Sequence, residues 1–251
     1  MTLRPALLLV FASLVGCVST GSVDPMKTAE GRDKARDAYI QLGIGYLSQG
    51  AAERAKVPLR KALELDSSSA DANAALALVF QTEMEPKLAD EHFRKALSSR
   101  TDSRILNNYG GFLYEQKRYE EAYKRFEQAA EDSLYPERSR VFENLGLTAL
   151  RMNRPDLAKQ HFDKSLRLNR QQPVALLEMA DLSYAEKQYV PAREYYDRYS
   201  KIAPQSARSL LLGTRLATVF DDRDQAASLG LQLKRLYPGT PEYQQYLSEQ
   251  R

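Results

Sequence analysis

Two histidines are the residues of this chain best suited to metal binding or proton transfer, because imidazole titrates near neutral pH. They are His92 and His161, and each stands immediately before a phenylalanine, Phe93 or Phe162. We expect the two histidines to lie about 20 Å apart at the usual spacing of packed helices, which is too far to share a metal ion. Their common context therefore indicates repetition of one structural unit rather than a metal or catalytic site.

Other catalytic chemistries lack their sequence motifs. The chain contains no nucleophile elbow, phosphate-binding loop, dinucleotide fingerprint or zinc-protease motif. Adjacent carboxylates, such as Glu120 with Glu121 and Asp221 with Asp222, fall on loops or where helices are expected to begin. Acidic residues at a helix start are explained by their favourable contact with the helix dipole. We therefore expect a protein that is not an enzyme and that binds no cofactor and no metal.

Composition indicates a folded protein with a solvated helical surface. Of the 251 residues, 43% are hydrophobic and 27% are charged, which is enough for a substantial folded body. The 36 basic and 33 acidic residues give a formal net charge of +3 and are interspersed, without a block of like charge. We expect no nucleic-acid partner and no small-molecule substrate, and we expect a monomer.

Residues 1–16 have the features of an export signal rather than of a folded segment. Arg4 precedes the apolar run Ala6–Val15, which is shorter than the roughly 20 residues needed to span a bilayer. The Leu-Val-Gly-Cys sequence that ends at Cys17 resembles the lipobox of bacterial lipoproteins, in which the cysteine becomes the acylated first residue of the mature chain. This resemblance implies lipidation of Cys17, the only cysteine. The alternative is an ordinary signal peptide with an incidental cysteine.

The residue after Cys17 indicates which membrane the lipid anchor is inserted in. In the usual sorting of lipoproteins an aspartate at this place retains many of them in the inner membrane, whereas this chain has Val18. We therefore expect the periplasmic face of the bacterial outer membrane. Residues 17–34 are rich in Ser, Gly, Thr and charge, and we predict that they form a flexible tether to a folded domain at 35–251.

A period of about 34 residues runs through the rest of the chain. A hairpin of two helices is clearest at Leu106–Ala130, where small and bulky residues recur three and four positions apart. An alanine on the packed face of the second helix recurs at spacings of 34, 33, 36, 34 and 34 residues, as Ala55, Ala89, Ala122, Ala158, Ala192 and Ala226. Each first helix carries a large–small pair: Leu42-Gly43, Leu76-Ala77, Tyr109-Gly110, Leu145-Gly146, Met179-Ala180 and Leu212-Gly213.

This pattern resembles the tetratricopeptide repeat, a helix-turn-helix unit of 34 residues. The resemblance implies an all-α right-handed superhelix, or solenoid, of six repeats near 36–69, 70–102, 103–135, 139–172, 173–205 and 206–239. The following segment, Pro241–Arg251, is long enough for a C-terminal capping helix. Pro58 is expected to kink a helix. The sixth repeat has Gly230 in place of an aromatic residue and a loop that looks one residue longer, so we expect a degenerate end.

In this family the first helices line a concave groove, so the resemblance also implies which residues face a partner. They are Ile40, Ile44 and Leu47, then Ala74, Leu78 and Gln81, then Asn107, Gly111 and Tyr114, then Glu143, Leu147 and Leu150, then Leu177, Asp181 and Tyr184. The lining is mostly apolar, which suits an amphipathic helix or an extended apolar segment. Clamps of this family that hold a C-terminal carboxylate use Lys and Asn where this chain has Ile40 and Ile44, so that binding mode is disfavoured. Packing between neighbouring repeats is the alternative role for any one of these side chains.

Five longer segments narrow the resemblance to the pilotin lipoproteins of type IV pilus biogenesis. They are 55–66 (AKVPLRKALELD), 80–91 (FQTEMEPKLADE), 107–122 (NNYGGFLYEQKRYEEA), 135–147 (YPERSRVFENLGL) and 207–217 (ARSLLLGTRLA). The resemblance implies an outer-membrane lipoprotein that brings secretin subunits to that membrane and promotes their assembly into the multimeric pore. A general periplasmic scaffold lipoprotein for cell-wall synthesis or outer-membrane protein assembly is the alternative.

The predicted partner-binding residues are taken from the inward positions: Ile40, Ile44, Leu47, Leu78, Asn107, Tyr114, Leu147 and Leu150. The first four of these are expected to contact the secretin. They are apolar, face inward by family geometry and stand nearest the lipid anchor.

Overall fold

The computed structural model describes residues 24–250. Within this range the chain forms thirteen α-helices and one 3₁₀ turn, Pro25–Lys27, and no strand. This architecture confirms the predicted all-α solenoid of tetratricopeptide hairpins. The export signal, Cys17 and the first part of the predicted tether lie outside the described residues.

The helices pair in chain order, and the two helices of each repeat pack against each other. The pairs are α1 (Ala29–Ser48) with α2 (Ala52–Leu65), α3 (Ala70–Thr82) with α4 (Pro86–Ser99), α5 (Ser103–Glu115) with α6 (Tyr119–Glu131), α7 (Arg138–Arg151) with α8 (Pro155–Leu168), α9 (Pro173–Ala185) with α10 (Tyr189–Ser200), and α11 (Ala207–Val219) with α12 (Arg223–Leu236). A last helix, α13 (Pro241–Glu249), follows as the predicted cap.

The chain separates into two compact units, residues 1–67 and 68–251, and each is described by itself. In the first unit, α1 begins at Ala29 because the Thr28 side chain accepts a hydrogen bond from the Gly31 amide at 3.0 Å. The predicted boundary at residue 35 is therefore too late, and residues 29–34 are helical rather than part of a tether. Helix α2 extends through Pro58, whose side chain is buried.

One kind of turn connects the two helices of every repeat. Its central residue has a left-handed backbone, with φ between 54° and 73° at Gly50, Met84, Lys117, Asn153, Lys187 and Asp221. The following amide donates to a carbonyl five residues earlier, as Asp222 does to Ala217 at 2.9 Å, and this bond closes a Schellman motif. The turn between α11 and α12 has the same length as the turn between α9 and α10, so the predicted longer loop in the sixth repeat is wrong.

Glycines in the first helices make room for aromatic rings of the second helices. A Cβ atom on Gly110 would lie 2.6 Å from the ring of Phe126, and one on Gly146 would lie 2.5 Å from the ring of Phe162. Both rings are almost completely buried. Because core packing leaves no spare volume, the large and small residues of the repeat pattern have to occur together.

The cap explains the glycine that stands where the sixth repeat should have an aromatic residue. A Cβ atom on Gly230 would lie 2.6 Å from the Cζ atom of Tyr246, which belongs to α13. Tyr243 and Tyr246 pack with the buried Leu229 and Leu233 of α12. The sixth repeat departs from the pattern, as expected, and Gly230 has a role there because it is the place where the capping helix packs closely.

No helix within the described residues is long and apolar enough to cross a membrane.

Candidate partner-binding surfaces

The first helices of the second unit lie side by side. Helix α5 contacts α7, α7 contacts α9, and α9 contacts α11, whereas the second helices make no comparably extensive contact with one another in the described part of the chain. Hydrogen bonds between residues about one repeat apart join these helices. Asn144 donates to Asn107 at 3.0 Å, and Arg151 donates to the Tyr114 hydroxyl at 3.1 Å. The first helices thus form one continuous surface.

Two adjoining hollows lie on this surface, and we call them together the inner groove. One has a volume of about 260 Å³ and the other about 290 Å³. Tyr114 and Leu147 line both, so the hollows are continuous. Gly111, Glu115, Phe126 and Asn144 complete the first hollow, and Leu150, Arg151, Glu178 and Arg208 complete the second. The inner groove therefore changes along its length from an apolar to a charged lining.

The charged end of the inner groove is an ion-pair network across two repeats. Arg208 donates to both carboxylate oxygens of Glu178, at 2.5 and 2.8 Å, and also pairs with Asp181. The hydrogen bond to Glu178 raises the pKa of Arg208, so this guanidinium stays charged. Burial raises the pKa of the Asp181 carboxyl, although Arg208 opposes the effect. The network ties α9 to α11 and leaves little free charge for a ligand.

The structure brings several of the predicted residues together in the inner groove. Tyr114, Leu147 and Leu150 line it and are half-buried, and their contact with a partner stays a prediction. Asn107 is half-buried and is engaged by Asn144, while Leu78 is half-buried and packs against the buried cluster of repeats two to four. The sequence prediction placed Asp181 on the inward face but missed its partner Arg208 and the neighbouring Glu178. A signal existed, since Glu178 and Arg208 have opposite charges and stand about one repeat apart.

Glu143, predicted to face inward, has a structural role instead. It is a buried carboxylate, and its Oε2 atom accepts a hydrogen bond from the Ala175 amide in the first turn of α9, at 3.1 Å. The residue before that helix, Gln172, makes no side-chain cap, so Glu143 supplies one from the preceding repeat. Burial raises the pKa of the Glu143 carboxyl, and the amide bond only partly offsets this effect.

The first unit carries its own surface hollow, which we call the first-repeat pocket. It has a volume of about 310 Å³ and is lined by Tyr39, Leu42, Tyr46, Arg54, Val57, Pro58 and Lys61. Leu42 is 48% exposed and Val57 is 63% exposed. The guanidinium of Arg54 lies 4.4 Å from the ring centre of Tyr46, and the Lys61 amine lies 5.5 Å from that of Tyr39. The pocket is thus apolar and aromatic with a basic rim.

Leu42 is exceptional among the large residues of the repeat pattern. The equivalent side chains in the last four repeats are buried: Tyr109, Leu145, Met179 and Leu212. Leu212, for example, packs with Ala192 and Tyr196 of the preceding second helix. No repeat precedes α1 among the described residues, so Leu42 stays uncovered. The sequence prediction could have found this surface by asking which repeat has no neighbour on that side.

The predicted inward stripe of α1 lies apart from the first-repeat pocket. Ile40 is only 4% exposed, so its prediction as a partner contact is wrong because a docking molecule cannot reach it. Ile44 is 38% exposed and Leu47 is half-buried. Neither residue lines the pocket, which uses Tyr39, Leu42 and Tyr46 instead.

Both histidines occupy corresponding packed positions. His92 Nδ1 lies 2.9 Å from the Asn73 side-chain oxygen, and His161 Nε2 lies 2.7 Å from the Tyr123 hydroxyl. Burial lowers the pKa of both imidazoles, which favours their neutral form at pH 7. Within residues 24–250, no group of three or more His, Cys, Asp or Glu side chains could hold a metal ion.

Comparison with known proteins agrees with this architecture. Sequence models of the tetratricopeptide repeat match residues 101–171 and 149–216. The chain is 67% identical over 251 residues to the type IV pilus assembly protein PilF of Pseudomonas aeruginosa, an alignment that covers 99% of this chain and 100% of that protein. A solved structure from a functional characterisation of Pseudomonas aeruginosa PilF is similar, with 70% identity and a TM-score of 0.86, over 87% of this chain and 99% of that chain. The crystal structure of PilW, a widely conserved type IV pilus biogenesis factor, is 28% identical with a TM-score of 0.73, over 85% and 99% of the two chains.

Proposed function

Because this chain belongs to the PilF family of tetratricopeptide-repeat proteins, we propose that it is a pilotin of the type IV pilus. In this role it is an outer-membrane lipoprotein, anchored through Cys17 with its repeats in the periplasm. It binds secretin subunits, brings them to the outer membrane and promotes their multimerisation. Support comes from the name of the relative, which is a pilus assembly protein, and from the lipobox-like sequence before Cys17.

The observation that carries the proposal is the exposed apolar lining of the first-repeat pocket. Leu42 and Val57 are large apolar side chains left in water, and burying one such side chain contributes about 1.5–3 kcal/mol. Exposed apolar patches with a polar rim are typical of protein interaction sites. The first repeat is also the repeat nearest to Cys17 in the chain. A secretin subunit bound there would be held beside the anchored membrane.

The expected ligand is an amphipathic helix of the secretin. In the second unit, the surface equivalent to Leu42 is covered by the second helix of the preceding repeat, so a helix has the right shape for this pocket. Arg54 and Lys61 at the rim favour acidic residues on the flank of that helix. The partly exposed Ile44 is a second contact, outside the pocket.

The pocket is tested by substituting its exposed apolar residues. Val57→Asp and Leu42→Asp should each lower recovery of the secretin in detergent co-purification by about tenfold or more, because a charge replaces a buried apolar contact. The matched control is Leu231→Asp, at a leucine that is 65% exposed on α12. Helical circular dichroism should be unchanged in all three variants. Normal secretin recovery with both pocket variants would move the binding site elsewhere, with the inner groove as the next surface to test.

The anchor is tested separately with Cys17→Ala. Membrane fractionation should then find the protein away from the outer membrane, and heat-resistant secretin multimers should be reduced. Normal secretin multimers in the outer membrane of that strain would contradict the proposed outer-membrane location of the protein, whatever the result for the pocket.

The alternative function is a general periplasmic scaffold lipoprotein for cell-wall synthesis or outer-membrane protein assembly. It shares the anchor and the repeats, and the inner groove is a second surface that could serve it. Pull-down from envelope extracts distinguishes the two functions. A pilotin recovers the secretin, whereas a general scaffold recovers wall enzymes or outer-membrane assembly factors.

A further inference from the structure

A cleft with an unusual charge lies between the second helices α8 and α10. It has a volume of about 500 Å³ and is lined by Asp163, Leu166, Arg167, Arg170, Tyr195 and Arg198. We call it the arginine cleft. Its lining contains three guanidinium groups and one carboxylate, and none of these residues lines the inner groove or the first-repeat pocket.

Two of its three guanidinium groups have no carboxylate partner. Within residues 24–250, Arg167 pairs with Asp163, whereas neither Arg170 nor Arg198 forms an ion pair. The Arg198 guanidinium donates to the Arg170 carbonyl oxygen at 3.1 Å and lies 5.8 Å from the ring centre of Tyr195. These contacts hold Arg198 in place and leave its charge uncompensated.

Several arginines elsewhere in the second unit pair with carboxylates of a neighbouring repeat. Arg104 pairs with Asp71 at 2.5 Å, Arg118 with Asp90 at 2.7 Å, and Arg208 with Glu178 at 2.5 Å. Opposite charges about one repeat apart therefore recur in this protein. The arginine cleft lacks the acidic member of such a pair, so its charges are available to a ligand.

The floor of the cleft is apolar beneath these charges. Leu166 is buried and packs in the cluster of α7, α8 and α9, with Tyr195 half-buried against it. A ligand that enters the cleft can therefore place carboxylates on the guanidinium groups and an apolar side chain against the half-buried ring of Tyr195. Charge-assisted bonds between guanidinium and carboxylate are among the strong polar contacts in proteins.

We propose that the arginine cleft binds an acidic segment of a partner protein, in which carboxylates flank one apolar or aromatic side chain. Charge complementarity identifies the ligand as anionic. The shape favours a chain segment over a bilayer, because a planar membrane surface contacts protruding residues and does not fill a cleft of about 500 Å³. The arginine cleft shares no lining residue with the first-repeat pocket, so its test does not rest on secretin binding there.

The experiment measures fluorescence anisotropy of a labelled peptide of alternating glutamate and phenylalanine, with the full-length chain in a non-ionic detergent. The same peptide with glutamine in place of glutamate is the control ligand. The glutamate peptide should bind, its affinity should fall with added salt, and the glutamine peptide should bind at least about tenfold more weakly.

Charge reversal then locates the site. Arg170→Glu and the double variant Arg167→Glu with Arg170→Glu should weaken the glutamate peptide by about tenfold or more, and the double variant should bind a lysine–phenylalanine peptide instead. Both residues are exposed, so the fold should survive, as circular dichroism checks. The matched control is Arg223→Glu, an exposed arginine on α12 that should leave binding unchanged.

Three outcomes would overturn the proposal. The first is no binding of the glutamate peptide by the unaltered protein. The second is equal binding by the unaltered protein and the double variant. The third is that Arg170→Glu weakens binding to phosphatidylglycerol vesicles but leaves peptide binding unchanged. This result would assign the arginine cleft to a membrane surface.

Discussion

The inner groove and the arginine cleft both contain arginine side chains. The arginine is paired with carboxylates in the groove, whereas two arginines of the cleft are unpaired in the described part of the chain. In the inner groove, Arg208 is held by Glu178 and Asp181, and its charge ties neighbouring repeats together. In the arginine cleft, Arg170 and Arg198 have no ion pair within the described residues. The difference shows that an arginine can tie neighbouring repeats together where a carboxylate of the adjacent repeat meets it, as Glu178 meets Arg208. Arg170 and Arg198 meet no such carboxylate among residues 24–250, so their charge remains available to a partner.

The largest expected effect on stability is that of substituting Phe162, which packs in the core beneath both regions. It is fully buried on α8, the helix that carries part of the arginine cleft, and its ring packs on Gly146 of α7, the helix that carries Leu147 and Leu150. Phe162→Ala should lower the free energy of unfolding by about 3–5 kcal/mol, because it removes a large side chain and leaves a cavity. Urea denaturation measures this change. The matched control, Leu134→Ala at a residue that is 88% exposed, should change the free energy by less than about 0.5 kcal/mol. Equal effects of the two variants would contradict the shared core.

An intermediate effect separates the two kinds of arginine directly. Arg208→Ala should cost about 2 kcal/mol of unfolding free energy, because it removes the counterion that Glu178 and Asp181 share. This is less than the figure for breaking a fully buried pair, since Arg208 is partly exposed and screened by solvent. Arg170→Ala should stay within about 0.5 kcal/mol. Urea denaturation of both variants in parallel checks the contrast, and an equal loss would show that the charges of the arginine cleft also support the fold.

The smallest expected effect is a change of pH dependence at Glu143. Burial raises the pKa of this carboxyl in the folded protein, so the folded state holds the proton more tightly than the unfolded chain does. Its contribution to stability is therefore present below the ordinary glutamate range and is lost as the pH rises through the folded pKa. Glu143→Gln keeps an oxygen that can accept from Ala175 and removes the titration. The stability of the variant relative to the unaltered protein should rise from pH 4 to pH 7 in urea titrations, and a difference that is constant with pH would contradict this account.

Much of the fold could be predicted from the sequence because the repeat pattern is local. The spacing of Ala122, Phe126 and Ala129 shows which face of α6 packs, and the Tyr109-Gly110 pair shows where α5 receives the ring. The role of Gly230 could not be predicted in this way, because the ring that packs on it, Tyr246, comes from the capping helix and not from the same hairpin.

The candidate surfaces were harder to predict than the fold. Tyr114, Leu147 and Leu150 were found because family geometry identifies the inward positions of a repeat. Ile40 and Glu143 occupy equally inward positions, yet both are buried, and Glu143 caps a helix. The same repeat position can therefore be a groove residue or a packed residue, and the choice depends on the adjacent repeat.

The sequence by itself determined the helical hairpin, its period of about 34 residues and the large–small packing pairs. It also showed which catalytic motifs the chain lacks. These features follow from contacts within one or two repeats. Only the tertiary structure decided which charges are neutralised by a neighbour, as at Arg208, and which large apolar side chains stay uncovered, as at Leu42. The physical reason is that the exposure and ion pairing of a side chain depend on the residues that contact it, and these lie a full repeat or more away in the sequence. The period alone does not specify which residues they are.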